Sequence, residues 1–571
     1  MTDKKYAGVL VPVFALKSQN DFGIGDTQSL IECIDFCAQN DLSIVQLLPI
    51  NETGPDNSPY NAISSQALEP AYIHMTPDAV PGLTLDILKE LKVDHLNSCP
   101  DSVNYDVVKK VKVDILANAY INFKKSRSKL AKDFTSFKKE QSHWLDDFCL
   151  YRCILSLKEN NTLWTDWETE LQSPATAKKY LTKYIKDNDA KNVVQLNVDF
   201  WAYVQFVGYT QWIIVKNHAD KLDIKLIGDL PFGVSRYSCD VWANKELFDL
   251  NWSIGAPPET YFQGDEFVRK WGQNWGMPLY NWSQHEKENF QWWENRIDSL
   301  LNFFHGYRID HVLGFYRVYA FPWLPQLNNE FLDLTIEEAK QKTGGKIPQF
   351  LPNDDSTEKS AKSNEKHGSK ILKAIKNFSK SSIIIAEDLG LVPDYVRPSL
   401  AKLGISGITI PQFERNKDYT YKSQSTYPEN NLITYGTHDH DPLALFYENL
   451  VKWWHGPDGH VGWLEVQRLM DYLGWDINHP PNEFTDDLHK ALLTKLFESN
   501  CKYAILIISD IFGSKQRFNQ PGSNSNSNWS QRLEMTLTEF VNDPNYSQKI
   551  KFLSNLIEKT NRINANLLAT K

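Results

Sequence analysis

The stretch GYRIDHVLGF (306–315) is a short apolar segment with an Arg-x-Asp pair in it. Apolar runs that end in polar or glycine-rich residues occur at seven other places: GVLVPVF (8–14), SIVQLLPI (43–50), IKLIGDLPFGV (224–234), SIIIAEDLG (382–390), GITIPQF (407–413), LITYGTHDHD (432–441) and YAILIISDIFG (503–513). Such strands, alternating with helical patterns, are typical of a parallel sheet covered on both faces. Because eight strands close a barrel, we predict an α/β chain with a (β/α)₈ TIM barrel and helical insertions. A doubly wound open sheet is the alternative.

The uneven spacing of these runs predicts the domain organisation. Residues 1–84 hold the first barrel strands and a Ser-Pro-Tyr turn. Residues 85–220, too long for one crossover helix, are predicted to be an inserted, mostly helical subdomain. Residues 221–571 form the remainder of the barrel, and 251–282 is a loop covering the strand ends. Two polar segments, 353–370 and 521–528, are predicted to be mobile surface loops.

Composition and charge exclude several classes of function. The 571 residues carry a formal net charge of −10 without a long Lys/Arg run, which argues against nucleic acid or a membrane as partner. No apolar run is long enough to span a bilayer. Seven Cys without a CxxC motif indicate reduced structural thiols and a cytoplasmic protein. The 18 Trp fit either a large core or sugar-binding rings, and both interpretations stay open.

Acidic residues follow or end four of the eight predicted strands. They are Asp229 on the third, Asp310 on the fourth, Glu387 on the fifth and Asp439 on the seventh. Carboxylates at C-terminal strand ends of a barrel converge on one face, where barrel active sites lie. The alternative is that each acid caps the helix that follows it. Retaining glycoside transfer needs two carboxyls ~5–5.5 Å apart, one ionised and one protonated.

Neighbouring residues predict the charge state of each acid. Arg308 lies two residues before Asp310, on the same side of a strand, so we expect it to lower the pKa of Asp310 and hold it ionised. Glu387 follows the apolar run Ile383–Ala386, where desolvation is expected to keep a carboxyl protonated. Asp439 is expected to hold sugar hydroxyls in the transition state.

Three of these stretches, GYRIDH (306–311), AEDLG (386–390) and GTHDHD (436–441), resemble the catalytic segments of the 4-α-glucanotransferases, the amylomaltase or disproportionating-enzyme family. The resemblance covers nearly the whole chain, with further matches at FGIGD (22–26), LLPI (47–50), NSPYNAISSQALEPAYI (57–73), GDLPFGVSRYSCDVWANKELFDL (228–250), GAPPETYFQGDEF (255–267), WGQNWGMPLYNW (271–282) and NWSQRL (528–533). The stretch from GAPPETYF to HGYRIDHVLGF most resembles the maltose-using plant-cytosol type.

The resemblance implies a retaining transfer of α-1,4-glucan segments or glucosyl units through a covalent glucosyl-enzyme, with no cofactor and no metal. Donors are maltose or malto-oligosaccharides, and the acceptor is the 4-hydroxyl of glucose or of another, glycogen-like glucan. It implies Asp310 as nucleophile, Glu387 as general acid/base and Asp439 as transition-state stabiliser. The implied substrate-binding and supporting residues are Arg308, His438, Asp229, Tyr60, which stacks on a sugar, and Gln273 and Trp275, which cover the acceptor groove.

The chain departs from the family pattern in two places. Where the family loop commonly reads PPDYF, this chain reads Pro258-Glu259-Thr260-Tyr261-Phe262, with Glu for Asp and one residue extra. His440 stands where Asn is usual.

Two other functions are weighed against glucan transfer. A plain α-glucan hydrolase shares the three carboxylates and differs in whether water or sugar accepts the glucosyl unit. The covering loop 251–282 favours sugar, because it excludes water. A catalytically silent glucan-binding protein is disfavoured, since all three carboxylates and Arg308 are present.

Overall fold

The computed structural model describes residues 4–91, 100–126, 129–258, 265–522 and 527–563. Within these residues the central sheet has eight strands, each overlapping one of the predicted apolar runs. In chain order they are β1 (Tyr6–Leu10), β2 (Ile44–Gln46), β3 (Lys225–Leu230), β4 (Gly306–Ile309), β5 (Ile383–Ala386), β6 (Ile408–Thr409), β7 (Leu432–Ile433) and β8 (Tyr503–Ile507). All strand pairs in this sheet are parallel.

The sheet closes into a barrel. Its strands run in the order β5, β4, β3, β2, β1, β8, β7, β6. The two ends meet, because Ile385 of β5 pairs in parallel with Ser406, just before β6. The amide of Ala386 also donates to the carbonyl of Ser406 at 2.7 Å. The (β/α)₈ prediction is therefore confirmed, and the open-sheet alternative is wrong.

The barrel strands are apolar because both of their faces are covered. Every residue of β4 and of β8 is buried. One core cluster combines residues of β1, β2 and β8 with the helices around them. A polar residue on such a strand, such as Arg308 of β4, is the exception that marks a site.

Helices occupy most of the chain between the strands. Those outside the 85–220 segment are Thr27–Gln39, Cys239–Ala243, Glu266–Trp271, Trp282–Lys287, Gln291–Leu301, Leu313–Tyr316, Ile336–Lys342, Glu358–Phe378, Val396–Lys402, Leu443–Trp454, Gly459–Leu473, Asp486–Phe497, Ile508–Phe512, Leu537–Asn542 and Pro544–Lys559. Single turns of 3₁₀ helix are Val13–Ala15, Pro70–Tyr72, Trp164–Asp166, Thr169–Leu171, Ala190–Asn192, Val194–Leu196, Lys245–Leu247 and Gln424–Thr426, and Pro325–Glu330 is longer.

The segment between β2 and β3 contains a group of helices with its own aromatic packing. These are Leu85–Glu90, Tyr105–Lys125, Lys129–Glu140, Ser142–Leu157, Pro174–Asp187 and Val198–Lys221. The last of them joins two cores, since Trp201 packs with the other inserted helices and Trp212 with the barrel. Both indoles are fully buried, so the core interpretation holds for these two Trp. The proposed domain boundaries at 84 and 220 remain predictions.

Short antiparallel strands form two further sheets outside the barrel sheet. One sheet pairs Gln349–Leu351 with Val318–Phe321, then Ser253–Ala256, then Gln273–Asn274. Another pairs Phe248–Asp249 with Leu279–Tyr280. Together they pair three described stretches of the covering segment, Ser253–Ala256, Gln273–Asn274 and Leu279–Tyr280, with neighbouring strands.

The prediction of a mobile loop at 353–370 is wrong. Residues from Glu358 onward form a helix, which begins at a capping box between Thr357 and Ser360. Its first turns pack through a buried Asn364 and through Gly368, where a Cβ would lie 2.3 Å from the ring of Tyr316. The packed face has no aliphatic periodicity there, so the sequence hid the helix. Of the second predicted loop, residues 523–526 lie outside the described residues.

Six cysteines, at 33, 37, 149, 153, 239 and 501, are buried with free thiols, and Cys99 lies outside the described residues. Among the helices that the structure describes, none is long and apolar enough to cross a membrane.

Candidate active site

A single buried arginine organises the carboxylates at the strand ends. The register of β3 and β4 sets Asp229 directly opposite Arg308, whose side chain is only 2% exposed. Arg308 Nη1 donates to Asp229 Oδ2 at 2.6 Å. Arg308 Nη2 donates to Asp310 Oδ1 at 3.0 Å and to Glu387 Oε2 at 2.8 Å. The predicted convergence of acids from the third, fourth and fifth strands is therefore confirmed in geometry.

The shared nitrogen limits the distance between the two acids assigned to catalysis. The bonded oxygens of Asp310 and Glu387 cannot be farther apart than the sum of their distances to Arg308 Nη2, 3.0 and 2.8 Å. That limit is below the ~6.5–9.5 Å that inverting glycosidases need for a water molecule. It admits the ~5–5.5 Å separation of retaining enzymes.

The pKa values of Asp310 and Glu387 are shifted in the directions opposite to those expected from the sequence. Burial raises the pKa of Asp310 to about 7, although the charge of Arg308 opposes it. Burial also acts to raise the pKa of Glu387, but Arg308 and the backbone N–H of His311 outweigh it and lower that pKa. His311 has a left-handed backbone, with φ of 42°, and its N–H lies 2.9 Å from Glu387 Oε2. These two donors oppose the desolvation that was expected to keep Glu387 protonated, and the protonation of Glu387 remains a prediction.

The third carboxylate is held from a different part of the chain. Asp439 Oδ2 lies 3.3 Å from His438 Nε2, and Asp439 Oδ1 accepts a 2.6 Å hydrogen bond from the amide of Asn519. Arg517 donates to the carbonyl of Asp439 at 2.7 Å. Burial would raise the pKa of Asp439, but His438 and Asn519 outweigh it and hold it well below its usual range. The sequence prediction missed Arg517, Asn519 and His311. His311 belongs to the motif GYRIDH (306–311). The sequence around Arg517 and Asn519, KQRFN (515–519), contains no pattern that predicts a contact with Asp439.

Tyr60 connects the two groups of carboxylates. Its hydroxyl donates to Asp229 Oδ2 at 2.9 Å. Its ring stacks on the imidazole of His438, with centroids 5.1 Å apart and planes 18° apart. The indole of Trp529 also lies close, with its centroid 5.9 Å from that of Tyr60 and its plane tilted by 50°. The stacking of Tyr60 on substrate remains a prediction.

A cleft of ≈350 Å³ opens beside Glu387 and Asp439. Its walls include Gln273 and Trp275 from the covering segment, and Phe413 from the loop after β6. Trp275 is 38% exposed, and its ring meets that of His311 edge-on at 5.1 Å. Its indole N–H donates to Gln273 Oε1 at 3.2 Å. Both residues predicted to cover the acceptor groove thus line the same cleft as two of the carboxylates.

Among the other described rings of the covering segment, Phe267 and Trp282 are partly buried against the core. Trp252, Trp271 and Tyr280 are buried, and the indole of Trp271 donates to the carbonyl of Phe331 at 2.9 Å. The loop 259–262, with its unusual Glu, lies outside the described residues. The interpretation of 251–282 as a cover therefore rests chiefly on Trp275.

The histidines around Asp439 have partners of their own. His440 Nδ1 lies 2.9 Å from the hydroxyl of Thr437, and its ring packs against Phe413. Within the described ranges, no group of three or more His, Cys, Asp or Glu is arranged to hold a metal ion.

Comparison with known proteins identifies the family. Residues 11–538 match the glycoside hydrolase 77 family model, described as 4-alpha-glucanotransferase. The chain belongs to this family. A 4-alpha-glucanotransferase of Chlamydia pneumoniae is 30% identical over 94% of this chain and 92% of its own length. One from Aquifex aeolicus is 29% identical over 97% of this chain and 98% of its own.

A plant relative and a solved structure extend the comparison. The rice 4-alpha-glucanotransferase DPE2 is 24% identical over 96% of this chain and 69% of its own length. The amylomaltase of Streptococcus agalactiae, solved in complex with acarbose, has the same fold with a TM-score of 0.75. It is 24% identical, over 98% of this chain and 100% of that one. The family predicted from the motifs is confirmed, and the roles of the individual site residues remain predictions.

Proposed function

We propose that this glucanotransferase moves α-1,4-glucan segments or glucosyl units from malto-oligosaccharides or maltose to the 4-hydroxyl of another glucan or of glucose. The observation that carries the proposal is the single nitrogen of Arg308 shared by Asp310 and Glu387. It holds their bonded oxygens closer together than an inverting site needs, and within a limit that admits the separation used in retention.

The reaction has two balanced steps. Asp310 attacks the anomeric carbon while the glycosidic bond breaks, and the leaving oxygen takes a proton from Glu387. The glucosyl-enzyme ester then reacts with the acceptor hydroxyl, whose proton returns to Glu387 as Asp310 leaves. Asp439, held ionised by its neighbours, hydrogen-bonds the donor sugar and stabilises the positive charge that develops on its ring.

One proton must be on Glu387 when the first step begins. Burial raises the pKa of Asp310, whereas at Glu387 the charge of Arg308 and the N–H of His311 outweigh burial and lower the pKa. Both acids bond the same nitrogen of Arg308, so the pair is placed to share one proton. Glu387 lines the cleft, so a donor sugar placed there covers its carboxylate and raises its pKa by desolvation. The shared proton then rests on Glu387, and Asp310 becomes the nucleophile. Both carboxylates stay bonded to Arg308 Nη2, so neither side chain has to travel far.

The cleft favours transfer over hydrolysis. Water competes for the glucosyl-enzyme at tens of molar, and an acceptor succeeds only if binding orients its hydroxyl, which effective molarities make feasible. Trp275 presents an exposed apolar ring, and Gln273 a polar amide, beside the acid/base residue. These two residues form an acceptor platform of the kind that a sugar ring requires.

The charge and the cysteines of the chain bear on its partners and location. We infer that the partners are neutral glucans, and that nucleic acid and membranes are not bound, given the net charge of −10. The free buried thiols fit a cytoplasmic enzyme.

The test is the product profile from maltotriose alone. Transfer produces glucose together with maltopentaose and longer oligomers, and the total number of reducing ends stays constant. Hydrolysis produces glucose and maltose, and the number of reducing ends rises. A profile dominated by rising reducing ends overturns the proposal in favour of a hydrolase, and no turnover at all favours a silent binding protein.

A further inference from the structure

A pair of tyrosines lies on the outer surface of the inserted helices. Tyr180 and Tyr184 are one turn apart on the helix Pro174–Asp187, with ring centroids 6.3 Å apart and ring planes only 16° apart. They line a groove of ≈480 Å³, within the ~300–1,000 Å³ range of small-molecule sites. The two rings stack in nearly parallel planes and both are partly exposed, so they present aromatic carbon to the groove.

The helix that carries this surface is well anchored. Ala177 and Leu181 are buried beneath it. The turn before it is fixed to the segment after β3, because the indole of Trp242 donates to the carbonyl of Leu171 at 2.9 Å. Lys245 Nζ also donates to the carbonyl of Gln172 at 2.6 Å. The backbone that carries the two rings is therefore held in place before any ligand arrives, which lowers the entropy cost of binding.

The rim of the groove indicates a neutral, hydroxyl-rich ligand. Lys179 and Lys183 are matched by Glu170 and Asp187, and Asn188 adds an amide. Opposite charges in equal number do not attract a polyanion such as nucleic acid, which needs a basic surface. A patch built from two rings is also far smaller than the ~800 Å² per partner of a stable protein interface. Alternating donors and acceptors around flat rings suit pyranose units, with C–H faces on the rings and hydroxyls at the rim.

We propose that this groove, which we call the Tyr180/Tyr184 platform, is a non-catalytic binding site for α-glucan chains, separate from the cleft at the strand ends. The inference rests on the proposed function, because it assigns to the platform the same polymer that the cleft cuts and joins. None of the residues that line the platform lines the catalytic cleft. A polymer held on the platform raises the local concentration of chain ends at the active site, as a second binding module does. Short oligosaccharides gain nothing from it.

The experiment measures glycogen affinity with the cleft blocked. In an Asp310→Asn background, which stops turnover, migration is followed in native gels with increasing glycogen and saturating maltotriose. The Tyr180→Ala/Tyr184→Ala double variant should bind glycogen about fivefold or more weakly, as expected for the loss of two ring contacts. The matched Tyr180→Phe/Tyr184→Phe variant keeps both rings and should bind like the parent. With Asp310 restored, the alanine variant should turn over maltotriose at the parental rate but glycogen more slowly.

The outcomes separate the platform from the catalytic proposal. Equal glycogen affinity in the alanine and parent proteins overturns the platform, as does complete release of glycogen by maltotriose. Loss of maltotriose turnover in a folded alanine variant also contradicts it, because the surface would then serve the cleft. Failure of the parent enzyme to disproportionate maltotriose refutes the proposed function and leaves the glycogen gel as a separate measurement.

Discussion

The active site has two sides that are built differently. On the β3–β5 side, Asp229 and Arg308 lie within strands, and the chain stays in the hydrogen-bond ladder through the two acids that follow. The amide of Asp310 donates to the carbonyl of Leu230 at 3.0 Å, and that of Glu387 to the carbonyl of Ile309 at 2.9 Å. On the β7 side, Asp439 lies beyond the end of its strand and depends on Arg517 and Asn519 from the loop after β8.

The two sides differ in the roles proposed for their residues. The groups proposed to form and break bonds lie directly after strands and stay in the backbone ladder, which fixes them to a fraction of an ångström. The groups proposed to contact the sugar, including Trp275 and Asp439, lie on loops and short strands that can differ among relatives with the same barrel. We therefore expect substitutions on the β3–β5 side to cause the largest losses of turnover, and substitutions on the loops to cause smaller ones.

The largest effect is expected at Asp310. Asp310→Asn removes the nucleophile while keeping its volume, so kcat should fall by about four orders of magnitude or more. Maltotriose binding, measured calorimetrically, and the thermal unfolding temperature should stay close to those of the parent. Near-parental turnover in a homogeneous preparation would exclude Asp310 as nucleophile.

A smaller effect is expected at Glu387, and it depends on the leaving group. Glu387→Gln should lower the rate on maltotriose by about 10²–10⁴-fold, the usual contribution of a general acid. α-Glucosyl fluoride needs little acid assistance, so it should still react and leave a glucosyl adduct on Asp310 that intact-mass spectrometry detects. An equal loss on both donors contradicts the acid/base role.

Asn519 tests whether the loop side contributes to catalysis. Asn519→Ala removes the 2.6 Å hydrogen bond to Asp439, and kcat/KM should fall by about 10–100-fold, as for a lost bond to a charged group. The loss should fall mainly on kcat, because Asp439 is proposed to act in the transition state. Gln291→Ala is the matched control, since Gln291 donates an amide hydrogen bond to Glu294, an exposed carboxylate outside the site. Equal effects of the two substitutions would make Asn519 purely structural.

The pH profile tests the proton shared on the strand side. Because the pKa of Asp310 is raised to about 7, the pair keeps its proton below that pH and loses it above. kcat/KM on maltotriose should therefore fall about tenfold per pH unit on the alkaline side, where no acid is left for the leaving group. In Glu387→Gln with the fluoride donor, the rate should instead rise with pH, since Asp310 alone must be ionised. Identical profiles for the two proteins would be incompatible with a shared proton.

The smallest effect is expected on the covering segment. Trp275→Ala should lower transfer more than it lowers glucosyl-enzyme formation, so the hydrolysed share of the products from maltotriose should rise by about twofold to fivefold, the cost of one lost ring contact. Trp453→Ala is the control, because Trp453 is similarly exposed, at 42%, and does not line the cleft. If both products fall in proportion, Trp275 is structural and acceptor selection lies elsewhere, with Tyr60 as the next candidate.

The sequence alone predicted the barrel and the identities of the strand-borne acids. Strands buried on both faces are mostly apolar, so a charged residue within one, such as Arg308, can be recognised from the sequence. Residues two apart on a strand share a side, and parallel strands end at a common edge, so Asp310 and Glu387 could be brought together before any coordinates. The family motifs carried the same information in greater detail.

Only the tertiary structure decided the contacts that cross long separations. The pKa of Glu387 is lowered in part by the N–H of His311. This N–H reaches Glu387 because His311 has a left-handed backbone, which the sequence does not predict. The support of Asp439 by Asn519 spans the interval from β7 to the loop after β8, and no local periodicity links the two. The helix Glu358–Phe378 was hidden for the same reason, because a buried Asn364 and a close-packed Gly368 replace the aliphatic stripe. Periodicity reports burial along one element, whereas hydrogen-bond partners and pKa values depend on which elements meet.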